Sequence, residues 1–102
     1  MRNYYGFFGT FIARPGKRDE LLALLLKAAD MLELDESCLL YVMGTSETEP
    51  DVIWSNEIWT SKTAHDAALE PATVRAVLSL AMPLLAHVGS KTEFTVVGGK
   101  GL

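Results

Sequence analysis

Hydrophobic positions along this 102-residue chain switch between a period of about two and a period near 3.6, and the switches mark its elements. Tyr4 to Arg14 gathers aromatic and β-branched residues (Phe7, Phe8, Thr10, Phe11, Ile12), which predicts a strand. Pro15-Gly16 closes it, because proline cannot donate to a ladder and glycine accepts turn conformations. From Lys17 to about Leu34 the spacing predicts a long amphipathic helix. Leu21, Leu25, Ala28 and Leu32 share one face, widened by Leu22, Leu26 and Ala29. Asp19 and Glu20 fall in its first turn, where the helix dipole favours negative charge. Cys38 to Thr45 and Val52 to Trp59 predict two further strands across the polar loop Ser46 to Pro50. Ser61 is a suitable N-cap for a short helix over Thr63 to Leu69. Pro71 fits the first turn of another helix reaching Leu80, with Val74, Val77, Leu78 and Ala81 inward, and Pro83 should kink or end it. The last strand is expected over Lys91 to Val97, followed by a glycine-rich tail.

The order is β-α-β-β-α-β with the second helical unit split in two. It predicts an α+β, ferredoxin-like fold: one four-stranded antiparallel sheet with helices on one face. Such a sheet normally alternates apolar inward and polar outward. Here both faces are apolar. Tyr5, Phe7, Phe11 and Ala13 oppose Tyr4, Phe8 and Ile12; Cys38, Leu40 and Val42 oppose Leu39, Tyr41 and Met43; Ile53 and Trp59 oppose Val52, Trp54 and Ile58. Helices cover one face only, and the other is larger than the apolar patch a soluble monomer usually exposes. A homodimer packed through the sheet faces is therefore expected, with Tyr4, Phe8 and Tyr41 shielded.

Composition narrows the picture without changing it. The length suits a single domain over residues 1–102. One cysteine cannot form an intramolecular disulfide, and the residues following Met1 lack the uninterrupted apolar run of a signal peptide, so a cytoplasmic location is expected. The densest apolar run, Leu21 to Leu26, falls far short of the roughly 20 residues of a membrane span. Nine Lys and Arg against 13 Asp and Glu, with the basic residues scattered, give no nucleic-acid footprint. His65 and His87 lack companions at metal-ligand spacing, Gly98-Gly99-Lys100-Gly101 lacks the strand–loop–helix context of a phosphate loop, and no dinucleotide fingerprint or nucleophile elbow occurs. No metal or cofactor is expected.

The candidates for chemistry lie around the end of the third strand. His65, six residues beyond Trp59 and early in the following helix, is the best general acid or base, since histidine ordinarily titrates near neutral pH. A surface or N-terminal-turn histidine hydrogen-bonded to backbone is the plainer alternative. Glu57 and Trp59, two apart on one strand face, project the same way. Trp59 could wall a slot for a flat ring and Glu57 could orient His65 or accept a phenolic proton; a core aromatic and an ion-paired carboxylate are the plainer alternatives. Tyr5, Tyr41 and Asn56 are polar handles on apolar strands that need partners where buried.

The strand-to-helix turn Ala13-Arg14-Pro15-Gly16-Lys17-Arg18-Asp19-Glu20-Leu21 and the run Asn56-Glu57-Ile58-Trp59-Thr60-Ser61-Lys62-Thr63-Ala64-His65, together with the element order, resemble the antibiotic biosynthesis monooxygenase family. The likeness runs from about Tyr5 to Val97. It implies a dimeric α/β barrel. Because the family includes cofactor-independent quinol and anthrone monooxygenases, it also implies O2-dependent oxygenation of a small quinol or polyphenolic aromatic without flavin or metal. In that reading Trp59 and Phe7 form the apolar slot, His65 is the base with Glu57 orienting it, and Asn56 or Tyr41 stabilises the developing oxyanion. The chain departs from the family at Ala68, where many members carry the helix histidine. It has none near Val74, Arg75 and Ala76, where haem-degrading members place an axial ligand. A non-catalytic small-molecule-binding dimer and an isomerase of a small carbonyl compound remain the alternatives.

Overall fold

The computed structural model describes residues 2–102. Strand β1 (Tyr4–Ala13) leads through Pro15-Gly16 into helix α1 (Arg18–Asp30). Strands β2 (Cys38–Thr45) and β3 (Val52–Trp59) follow as a hairpin, then helices α2 (Lys62–Ala67) and α3 (Ala72–Ala81), a 3-10 turn over Met82–Leu84, and strand β4 (Leu85–Val96). The four strands form one antiparallel sheet in the order β2-β3-β1-β4. This is the ferredoxin-like α+β architecture expected from the sequence. All helices lie on one side, and the molecule is only 18 Å thick in its shortest dimension, one layer of helix on one of sheet.

The core forms where α1 and α3 meet the inner sheet face. Leu21, Leu25 and Ala28 from α1 and Val74, Val77 and Ala81 from α3 are buried. Leu21 and Leu25 pack with Ala13, Ile53 and Ala81. Leu21 and Ile53 are fully enclosed, each stabilising the fold by about 1.5–3 kcal/mol. Helix α1 ends four residues before the predicted Leu34. Met31, Leu32 and Glu33 donate to the carbonyls of Ala28, Ala29 and Asp30, and these i−3 bonds tighten the last turn into a return toward Ser37. Ser61 caps α2 as expected, its hydroxyl accepting from the Ala64 N–H at 3.1 Å.

The larger correction is β4, which begins six residues before the predicted Lys91. Gly89 and Ser90 look like a break but form a bulge between Gly9 and Phe11 of β1. The Ser90 N–H, displaced from regular pairing, donates to the Thr10 hydroxyl at 2.8 Å. Gly89 is needed there, because a Cβ would collide with Thr10 Oγ1. Lys91 pairs with Gly9 in regular register, and the extra residue lets Val88, paired with Phe11, share the inner face with it.

The outer sheet face carries no helix. Phe8 is 40% exposed and Val42 51%, with Trp54 and Phe94 beside them. Asn56 is on this face as well, paired with Phe8 and Val42, and its Oδ1 is buried without a partner. Among the described residues no helix is long and apolar enough to cross a membrane.

Candidate functional site

The helices do not close fully on the sheet. A cavity of about 320 Å³ remains between them, walled by Phe7 and Phe11 of β1, by Leu25, Ala28, Leu69, Val74 and Leu78 from the helical side, and by Trp59 at the end of β3. Its polar side chains are Tyr41, Glu57, His65 and Lys91. A small apolar volume with a few convergent polar groups is the usual form of a ligand site.

Strand period and register assemble the site. Tyr41 pairs with Glu57, and Glu57 with Phe7, so the three side chains leave the sheet on one side. Trp59, two residues beyond Glu57, projects the same way and is 1% exposed. Glu57 is 4% exposed. Its Oε1 accepts from the Trp59 indole N–H at 3.0 Å and its Oε2 from the Ser55 hydroxyl at 3.4 Å. Burial pushes the Glu57 carboxyl above the usual value, outweighing the Trp59 bond, the nearby His65 and the Ser55 bond, which all favour the ionised form.

His65 projects from α2 into this setting. Its ring lies 5.3 Å from Tyr5, 6.1 Å from Phe7 in a near-parallel stack, and 5.5 Å edge-on from Trp59. Nδ1 lies 2.9 Å from Asp66 Oδ1. The bond from His65 holds Asp66 below the usual carboxylate range, so Asp66 accepts and Nδ1 carries the proton. Nε2 is then the lone-pair nitrogen. It lies 3.7 Å from Glu57 Oε1, too far for a hydrogen bond. The result is a base with one nitrogen anchored and the other unpaired.

Tyr41 makes no side-chain hydrogen bond among the described residues, and burial pushes its hydroxyl upward, so it stays a neutral O–H donor. Tyr5 donates to Glu93 at 2.9 Å and is pushed up to about 12, by burial first and Glu93 second.

Of the residues singled out in the sequence, the fold brings Phe7, Tyr41, Glu57, Trp59 and His65 to one cavity. Asn56 is not among them: strand alternation sends it through the sheet to the outer face, away from the imidazole. Tyr41 in turn leaves the outer-face set with Tyr4 and Phe8, because its register with Glu57 turns it inward. Asp66 and Lys91 are additions. Asp66 adjoins His65 in sequence, which was the available signal; Lys91 shares a strand face with Glu93, which pairs with Phe7.

The raised Glu57 carboxyl has a consequence for stability. A carboxyl whose folded value exceeds its unfolded one favours the fold most below the ordinary 4.5, and that contribution is lost as pH rises through the folded value. The stability difference between Glu57→Gln and the wild type, followed by urea denaturation from about pH 5 to about pH 8, should therefore shift toward the variant as pH rises. One proton limits the slope to about 1.4 kcal/mol per pH unit. Asp66 has the opposite sign, its contribution being lost as pH falls below 3.8, outside that window. A difference flat with pH would show that Glu57 is not raised by burial.

A sequence model of the family described as antibiotic biosynthesis monooxygenase matches residues 7–78. The crystal structure of a protein provisionally named an antibiotic biosynthesis monooxygenase, from Chloroflexus aurantiacus J-10-fl, is similar to this chain at 35% identity and a TM-score of 0.85. The match covers 94% of this chain and 95% of that one. Another bearing the same provisional name, from Caulobacter crescentus CB15, is 21% identical over 95% of this chain and 92% of that one, with a TM-score of 0.83; its likeness speaks for the fold alone. No curated protein sequence matches the chain.

Proposed function

Because the chain belongs to the antibiotic biosynthesis monooxygenase family, we propose that it is a cofactor-independent monooxygenase that uses O2 to oxygenate a small quinol or related polyphenol in the cavity beside His65. The observation that carries this reading is the imidazole itself, set among three aromatic rings on the wall of an apolar slot, with Nδ1 held by Asp66 and Nε2 unpaired.

Nε2 takes the proton of a phenolic hydroxyl. The resulting phenolate is electron-rich enough to pass one electron to O2, and the ring radical and superoxide then join in a new C–O bond. Cleavage of the O–O bond leaves one oxygen on the ring and releases the other as water. A hydroquinone and O2 thus give a hydroxyquinone and water, so atoms and electrons balance with no further reductant. Phe7 and Trp59 confine the ring and exclude water. The Tyr41 hydroxyl donates to the developing oxyanion. Glu57 is a positioning group, 3.7 Å from Nε2, where it favours the imidazolium that forms. Asp66 fixes the tautomer.

The enzyme works as a homodimer, its two outer sheet faces packed together. The support is the uncovered band of Phe8, Val42, Trp54 and Phe94, which water would otherwise wet.

Oxygen-electrode measurements over a panel of hydroquinones test the reaction: uptake with formation of a hydroxyquinone is expected. Binding without uptake favours a plain small-molecule carrier; proton exchange on a carbonyl ligand without uptake favours an isomerase. Light scattering should give about twice the 11.2 kDa chain mass, and Val42→Glu should reduce it to that of one chain. A wild type that stays monomeric at micromolar concentration would remove the dimer.

A further inference from the structure

We propose that the cavity selects an aromatic ligand bearing a carboxylate, and that the Lys91 ammonium is the group that recognises it. The inference rests on the reading of this cavity as the place where substrate binds, and it narrows the substrate class.

Three of the four polar groups on the cavity wall are accounted for. Glu57 is held by Trp59 and Ser55, His65 by Asp66, and Tyr41 supplies a neutral hydroxyl. Lys91 has no such partner. Its Nζ lies 5.7 Å from the centre of the Phe7 ring, and among the described residues no carboxylate comes within ion-pairing distance of it. The acid two residues along the same strand, Glu93, is engaged by the Tyr5 hydroxyl. Among the described residues Lys27, Arg75 and Lys100 also lack an ion-pair partner; Lys91, itself an exposed residue, is set apart by lining the cavity. A neutral quinol leaves that ammonium to water. A carboxylate on the same ring gives it a charge-assisted hydrogen bond.

The dimensions suit one small molecule. The imidazole centre and Lys91 Nζ each lie about 6 Å from the Phe7 ring centre, so they are at most about 12 Å apart. A bicyclic aromatic acid with a hydroxyl at its far end can offer that hydroxyl to His65 and its carboxylate to Lys91.

Calorimetric titration at low salt with 2-naphthoate and with 2-naphthalenemethanol, which shares the ring but lacks the charge, tests this without turnover. The naphthoate should bind about tenfold more tightly. Lys91→Met should abolish that advantage and leave the alcohol's affinity unchanged, while Lys91→Arg should retain it. About 1 M salt, which shortens the screening length to about 3 Å, should shrink it. Equal affinities in the wild type, an advantage that survives Lys91→Met, or no binding of either compound would overturn the proposal. The two readings fail separately. Naphthoate preference through Lys91 without oxygen uptake by any hydroquinone removes the oxygenase and keeps the acid site; uptake without the preference does the reverse.

Discussion

Replacing His65 with alanine should lower the rate of oxygen uptake with a hydroquinone by about 10²–10⁴-fold, the usual worth of a placed general base. The loss should fall on kcat more than on KM, because Phe7, Trp59 and Leu25 still form the slot that holds the ring. The fold should survive. His65 sits on a short helix with no buried residue, its side chain is 18% exposed, and its removal takes away ring contacts to Tyr5, Phe7 and Trp59 without deleting a core side chain. Thermal melting of the variant is therefore expected within a few degrees of the wild type. Uptake left unchanged by the substitution would remove His65 as the base and point to Glu57, the other group within reach.

Asp66 separates positioning from chemistry. Its carboxylate touches Nδ1 and is exposed, so Asp66→Ala should leave stability nearly unaltered yet reduce kcat, by letting the ring rotate and exchange tautomers. Asp66→Asn, whose amide oxygen can still accept from Nδ1–H, should recover part of the loss. A purely structural aspartate would show neither the loss nor the partial rescue.

Local periodicity made much of this fold legible. β2 and β3 have the expected bounds because alternation over eight residues and a polar loop of turn formers point to one answer. The same alternation already separated Asn56 from Glu57 and Trp59, so its assignment to the slot was in tension with the strand's own pattern. Other features depend on pairing between distant segments. Which face Tyr41 takes follows from its register with Glu57, and the early start of β4 follows from a bulge that Thr10, some eighty residues earlier, makes possible. Asp66 was passed over for a different reason. Neighbouring helical side chains diverge by about 100°, so adjacency to His65 was only a weak signal of the Nδ1–Asp66 contact that the structure shows.

Trp59→Ala should destabilise the fold by about 3–5 kcal/mol, the range for truncating a large buried aromatic. For a chain of this length each kcal/mol corresponds to roughly 4–8 °C, so the melting temperature should fall by about 12 °C or more. Two effects combine. The indole is fully enclosed at the end of β3, where it closes the cavity, and its N–H is the nearest donor to the buried Glu57 carboxyl. Trp59→Phe divides them: it keeps most of the packing and removes the donor, at a cost of about 1–3 kcal/mol. The Trp59 bond is the strongest influence holding the Glu57 carboxyl down, so its loss should push that group further up and steepen the decline of stability with rising pH. A double-mutant cycle of Trp59→Phe with Glu57→Gln, read by urea denaturation, isolates the pair, and the coupling should grow as pH rises and the carboxyl ionises. A loss below about 1 kcal/mol in Trp59→Ala, or no coupling at any pH, would mean that the indole neither closes this cavity nor governs the charge beside the imidazole.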